Sequence, residues 1–267
     1  EGRLNRQRYR DKMLFGGETA QSYYEEGLTS AIKGDLDQAL LYFRRALQLD
    51  ERLHQARHQI GRCLLRQGKA EEALPSLDKA ARALAEVSAP RVDLGFAFLQ
   101  LGRIEAARDI FAGLLQEKPN EARAVLGLAY CACGKGQWET ALGLAQRAIE
   151  LGRTQFDTHF LIARAADKVN RVDISTAHYQ KAEELMNQSI EASPDHPAGY
   201  YLRARVHHGL GRYTAALDDI ENALKYVRPG QRYAAYNELF SQEEIVAYKE
   251  SLLVELNASD KLRGGAG

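Results

Sequence analysis

Two pairs of residues stand at spacings where a redox or metal centre would first be sought. They are Cys131 with Cys133, and His54 with His58. A Cys-x-Cys pair lacks the two-residue gap of a dithiol or zinc knuckle, and residues two apart on a helix point to different faces. His54 and His58 lie one helical turn apart and share a face, but two imidazoles fall short of the ligand set a zinc ion takes. His207 and His208 are adjacent and split across two faces. The chain carries neither a phosphate-cradling glycine loop nor a GxSxG nucleophile elbow, and Gly264-Gly265-Ala266-Gly267 reads as a tail. These patterns predict no catalytic residues, no metal, no cofactor and no enzyme.

The charged groups exclude a further class. Lys plus Arg and Asp plus Glu number 36 each, so the arginines are dispersed among acids rather than gathered into a basic stripe with interleaved aromatics. Nucleic acid is therefore not an expected partner. A content of 45% hydrophobic and 27% charged residues suits a folded, helical chain. Three cysteines cannot close a disulfide set, and no apolar run has the length of a membrane span.

The elements that must position any functional side chain recur every 34 residues. The turn position reads Gly34, Gly68, Gly102, Gly136, Asn170 and Gly211, the residue types that tolerate positive φ best. Seven residues earlier stand Gly27, Gly61, Gly95, Ala129, Ala163 and Ala204; five later stand Ala39, Ala73, Ala107, Ala141, Ser175 and Ala216. Small residues at matched places let two helix axes approach closely. One turn further on the same face come Phe43, Leu77, Phe111, Ala145, Tyr179 and Ile220. Leu36, Ala70, Ile104, Trp138, Val172 and Tyr213 open the second helices, which makes Trp138 a packing residue. Cys63 and Cys131 share a slot that Ala97 and Ala165 fill elsewhere, so they too read as small buried residues.

This pattern resembles the tetratricopeptide repeat. The resemblance implies an all-α, right-handed superhelical solenoid of about six helix-turn-helix repeats over residues 20–228. Units begin near Ala20, His54, Ser88, Ala122, Phe156 and Pro197. Two departures carry expectations of their own. Pro75 should bend or shorten its helix. The spacing of 41 between the last two turns predicts one elongated helix from about Asp173 to Ala192, closed by Pro194-Asp195-His196-Pro197. Residues 229–258 read as capping helices. Pro229-Gly230 makes a turn, Ser241-Gln242-Glu243-Glu244 matches a capping box, and Ile245, Tyr248, Leu252, Leu253 and Leu256 form an apolar face. Residues 259–267 are expected to be disordered.

The resemblance also implies a site. The first helix of each unit lines a concave groove in that family, and the matching positions here are Tyr24, Leu28, His58, Arg62, Phe96, Leu126, Tyr130, Phe160, Arg164, Tyr201, Arg205 and His208. Aromatic rings and arginines suit a protein or peptide partner with apolar anchors and acidic groups. The subclass that clamps the carboxylate end of chaperone tails is not implied, because Leu28, Gln59 and Asp93 stand where its ligating residues would be.

The expected function is a non-catalytic protein–protein interaction scaffold. The alternatives are a recruiting arm of a larger multidomain enzyme and a self-assembling protein whose groove receives its own subunits as a homo-oligomer. Residues 1–19 form a basic arm with Arg3, Arg6, Arg8, Arg10 and Lys12. A solvated lead-in and the flank of an upstream membrane anchor both fit that composition. The compartment stays open between cytoplasm and periplasm, with or without tethering through such an anchor.

Overall fold

The computed structural model describes residues 19–264, with side chains to Ala258, so all of the basic arm of residues 1–19 except Thr19 lies outside the described residues. Among the described residues the chain forms twelve helices in six consecutive pairs. These are α1 (Ala20–Ile32) with α2 (Leu36–Leu49), α3 (His54–Arg66) with α4 (Ala70–Ala83), and α5 (Ser88–Gln100) with α6 (Ile104–Glu117). They continue as α7 (Ala122–Gly134) with α8 (Trp138–Glu150), α9 (Phe156–Lys168) with α10 (Val172–Ala192), and α11 (Pro197–Gly209) with α12 (Tyr213–Tyr226). A hairpin of β1 (Tyr233–Ala235) and β2 (Glu238–Phe240) follows, and then α13 (Gln242–Gly264). The chain divides into two compact units, residues 1–93 and 94–267, with the boundary inside α5.

Each pair closes through one residue in the left-handed region. Gly34, Gly68, Gly102, Gly136 and Gly211 have φ between 69° and 84°, and Asn170 has φ 58°. A Cβ here would be strained, and for this reason five of the six positions are glycine. The small residues of the first helices receive the large residues of the second. A Cβ at Gly27 would stand 2.5 Å from Phe43 Cε1, and one at Gly95 would stand 2.5 Å from Phe111 Cζ. Phe43, Leu77 and Phe111 have no exposed surface. The second unit has one core cluster with Leu126, Ala129, Leu142, Leu161 and Ile162 and another with Phe160, Tyr179, Tyr201, Ile220, Phe240 and Leu252.

Three expectations change. Pro75 does not shorten its helix: α4 has 14 residues, as α2 and α6 do. It lies exposed just past the first turn, where a proline removes a single ladder bond and its ring meets solvent. The region read as capping helices contains a strand pair, with Tyr233 opposite Phe240, Ala234 opposite Leu239 and Ala235 opposite Glu238. Tyr236 and Asn237 make its two-residue turn at φ 49° and 64°, a primed hairpin geometry. Finally, α13 runs to Gly264, through most of the stretch read as a disordered tail; residues 265–267 lie outside the described residues.

The elongated helix is present as the 21 residues of α10. Ser241 starts α13, its Oγ accepting from the Glu244 N–H at 3.4 Å. Ile245 and Leu252 of α13 are fully buried and Tyr248 and Leu256 half-buried, while Leu253 is rotated out to 40% exposure.

Candidate functional site

In the first unit the predicted groove residues make modest local contacts. The Tyr24 ring lies 5.7 Å from that of Phe43, and Leu28 is half-buried. His58 is buried and pairs with Asp93, Nε2 to Oδ2 at 2.7 Å. Arg62, one turn along α3, reaches the same carboxylate at 3.8 Å and keeps about half of its side chain (52%) in solvent. His54 and His58 are not joined by further ligands: no group of three or more metal-ligating side chains exists among the described residues.

The second unit gathers its predicted residues and covers them. Phe96 is buried, its ring 5.2 Å from Phe111 and 6.3 Å from Tyr130. Leu126 has no exposed surface and belongs to the core, so it is not a contact surface. Phe160 and Tyr201 are also buried, at 4% and 7% exposure. The cover over them is the C-terminal hairpin. The Phe240 ring lies 4.5 Å from Tyr201, and the turn residue Tyr236 sets its ring 5.3 Å from Phe156. Glu238 receives Arg205 in a short ion pair and Arg164 at 3.7 Å. Both guanidinium groups also lie within 6 Å of the Phe160 ring, a cation–π arrangement that adds to the attraction. Tyr130 shares a hydrogen bond with Asn237.

The electrostatics follow from this burial. Desolvation works against the Arg205 charge, yet the Glu238 carboxylate beside it holds its pKa above the ordinary value. Burial pushes the phenols of Tyr130 and Tyr201 up. His208 is fixed on both ring nitrogens, by the Tyr248 hydroxyl at 2.7 Å and Glu255 at 2.9 Å, both on α13. Beside the hairpin a cavity of about 520 Å³ remains, with Trp138, Phe160, Arg164, Lys168, Arg205 and Tyr248 among its lining residues. Asp167 also lines it and accepts from the Tyr179 hydroxyl at 2.8 Å.

The thiols have no comparable setting. Cys63 and Cys131 are 2% exposed, and desolvation raises both pKa values, that of Cys131 to about 11. Cys133 is likewise pushed up to about 11. A thiol held protonated at neutral pH is a poor nucleophile.

The residues that complete the site, Tyr236, Asn237, Glu238, Phe240 and Tyr248, all lie beyond the last repeat. Their sequence signal was faint. Asn237 tolerates positive φ, but Tyr236 before it is not a residue that announces a hairpin turn.

Paired helices closed by left-handed turns, small residues set into large ones, and aromatic and arginine side chains on the first helices define an all-α repeat protein of the interaction-scaffold class. Two family models, both described as tetratricopeptide repeat, match residues 64–129 and 98–166, and residues 33–88 and 171–235. The chain belongs to the tetratricopeptide repeat family.

Among curated relatives, human "DnaJ homolog subfamily C member 3" is 22% identical over 258 residues, covering 91% of this chain and 46% of the relative. The "Tetratricopeptide repeat and J domain-containing co-chaperone DNJ1" of Cryptococcus neoformans is 35% identical over 74 residues, covering 28% of this chain and 14% of the relative. The chain thus spans less than half the length of these relatives. Two solved structures share the fold. MamA from residue 41 onward, of Desulfovibrio magneticus RS-1, has a TM-score of 0.52 at 19% identity, covering 64% of this chain and 97% of that one. The Cut9–Hcn1 hetero-tetramer of the APC/C has a TM-score of 0.59 at 19% identity, covering 78% of this chain and 40% of the other. No helix among the described residues is long and apolar enough to cross a membrane.

Proposed function

We propose that the chain is a non-catalytic scaffold that holds an extended segment of a partner protein against the first helices of its repeats. The observation that carries this reading is that α9 and α11 already hold a polypeptide segment, the chain's own hairpin. Arg164 and Arg205 take a carboxylate, and Phe156 and Tyr201 take aromatic rings. A surface that binds one strand of polypeptide through a charged pair flanked by rings has the chemistry to bind another. Tyr130, Phe160 and His208 contribute to this surface under the same reading; in the first unit Tyr24, Leu28, His58 and Arg62 stand on the first helices of their own repeats.

The test is selection from a random peptide library on the immobilised chain, followed by hydrogen exchange on the complex. Protection is expected over α7, α9 and α11. Replacing Arg164 and Arg205 together by alanine is expected to weaken the selected peptides at least tenfold. Protection confined to second helices, or affinity unchanged in the double variant, would remove the reading.

A second reading rests on the coverage of the relatives, of which this chain matches less than half. In it the repeats are the recruiting arm of a longer co-chaperone-type protein, and the segment they hold is that of a client. Substrates unfolded in vitro would then compete with the selected peptides, whereas folded controls would not.

A further inference from the structure

The hairpin that covers α9 and α11 is a strained object. Tyr236, a bulky aromatic, sits at φ 49°, where an L-residue other than glycine, asparagine or aspartate is uncommon and costs roughly 1 kcal/mol or more. Three pairs of residues on two strands have no independent stability in water, so the position of the hairpin depends on what its side chains touch. Its base and its tip are held differently. At the base, Phe240 has no exposed surface and stacks on Tyr233 at 5.3 Å, inside the core cluster that also contains Ile245 and Leu252. At the tip, Tyr236 is 42% exposed and Glu238 reaches two arginines that also line an open cavity. A guanidinium offers five N–H donors, so a second carboxylate entering that cavity can engage Arg164 or Arg205 before Glu238 leaves.

We infer that the hairpin tip is an internal competitor, and that the partner segment of this site carries an aromatic residue two positions before a carboxylate. This rests on the proposed function and names its partner chemistry. The tip shows the order of the subsites. The ring of Tyr236 covers Phe156, the amide of Asn237 meets Tyr130, and the carboxylate of Glu238 meets Arg164 and Arg205. A partner with the same spacing fills all three when the tip swings out on a base that Phe240 keeps anchored. Binding relieves the left-handed Tyr236 and returns a carboxylate to each arginine, so the exchange leaves no buried charge without a counter-ion.

The experiment uses the full chain and a linear peptide with the sequence of residues 235–239, titrated while the fluorescence of Trp138 is followed. Trp138 is the single tryptophan of the chain and lines the cavity. Glu238→Gln is expected to raise affinity for this peptide at least tenfold, because it withdraws the internal carboxylate while keeping its shape. A peptide with glutamine in place of its glutamate should bind the E238Q chain at least tenfold more weakly. Tyr236→Gly, which withdraws the ring that fills the Phe156 subsite and leaves the arginines untouched, should likewise raise affinity for the peptide, and it serves if E238Q does not fold.

Equal affinity of wild-type and E238Q chains for the peptide would overturn the inference. If library-selected peptides still bind α9 and α11 in that case, the scaffold reading survives and only the competitor fails. A concentration-dependent dimer of the E238Q chain in sedimentation, with no peptide bound, would also overturn it, by assigning the vacated site to a second copy.

Discussion

Arg62 and Arg205 occupy the same place in their repeats, the ninth residue of the first helix, and end in opposite situations. Arg62 lies half in solvent and reaches Asp93 at 3.8 Å, a carboxylate that His58 holds more closely at 2.7 Å. Arg205 is largely covered, paired with Glu238 and set over Phe160. The repeat therefore fixes where a side chain starts, while segments outside the repeat decide whether it is available. In the first unit His58 and Arg62 meet Asp93, itself a residue of a first helix. In the second, Arg164 and Arg205 meet a strand pair that belongs to no repeat.

Four measurements would break or sharpen this contrast. The largest effect is expected from Phe240→Ala. Truncating a fully buried ring at the hairpin base should cost about 3–5 kcal/mol in urea denaturation and bring Arg164 and Arg205 to the exposure Arg62 has now. If stability falls but exchange protection over α9 and α11 is unchanged, the hairpin is not what covers them. Next comes Arg205→Ala, which leaves Glu238 facing only the more distant Arg164; a loss of about 1–3 kcal/mol is expected.

The third is a pH effect confined to the second unit. His159 is buried and shares a hydrogen bond of 2.9 Å with His178, Nδ1 to Nδ1. Burial first, and then the neighbouring imidazole, lower its pKa from 6.5 to about 4, and burial lowers that of His178 as well. The folded chain favours the neutral ring and the unfolded chain binds more protons, so this contribution is complete above about pH 6.5 and is lost as pH falls towards 4. Thermal denaturation at pH 7 and pH 5 should show a midpoint lower by a few degrees at pH 5, and His159→Phe should flatten the difference. The smallest effect belongs to Arg62→Ala, expected to change stability by less than about 0.5 kcal/mol because the pair is solvent-screened. A loss as large as that of Arg205→Ala would erase the distinction between the two regions.

These residues also show what the sequence could carry. Gly34, Gly68, Gly102, Gly136, Gly211 and Asn170 state a backbone requirement in their own identity, and all six have positive φ. Gly27 beside Phe43 and Gly95 beside Phe111 state a volume requirement the same way. The helix pairs were therefore legible. The cover over the candidate site was not, for a physical reason: Glu238 and Phe240 take their meaning from Arg205 and Tyr201, more than thirty residues away, and local periodicity is blind to such pairings. Leu126 shows the converse, since position alone cannot separate a side chain facing solvent from one packed against the next helix. Pro75 shows a helix that keeps its full length around a proline whose ring meets solvent.

The long helix α10 has one further consequence. Its seven added residues amount to 700° of helical rotation at 100° each, within about 20° of two full turns. The apolar stripe therefore keeps its phase through Ala182 and Met186, both buried, and brings Ile190 against Gly199, where a Cβ would stand 2.7 Å from Ile190 Cγ1. An insertion of five or nine residues would have turned that stripe to solvent. The repeat thus admits length only in near-whole rotations, so its clock is angular rather than a count of residues, and a spacing of 41 keeps the same time as one of 34.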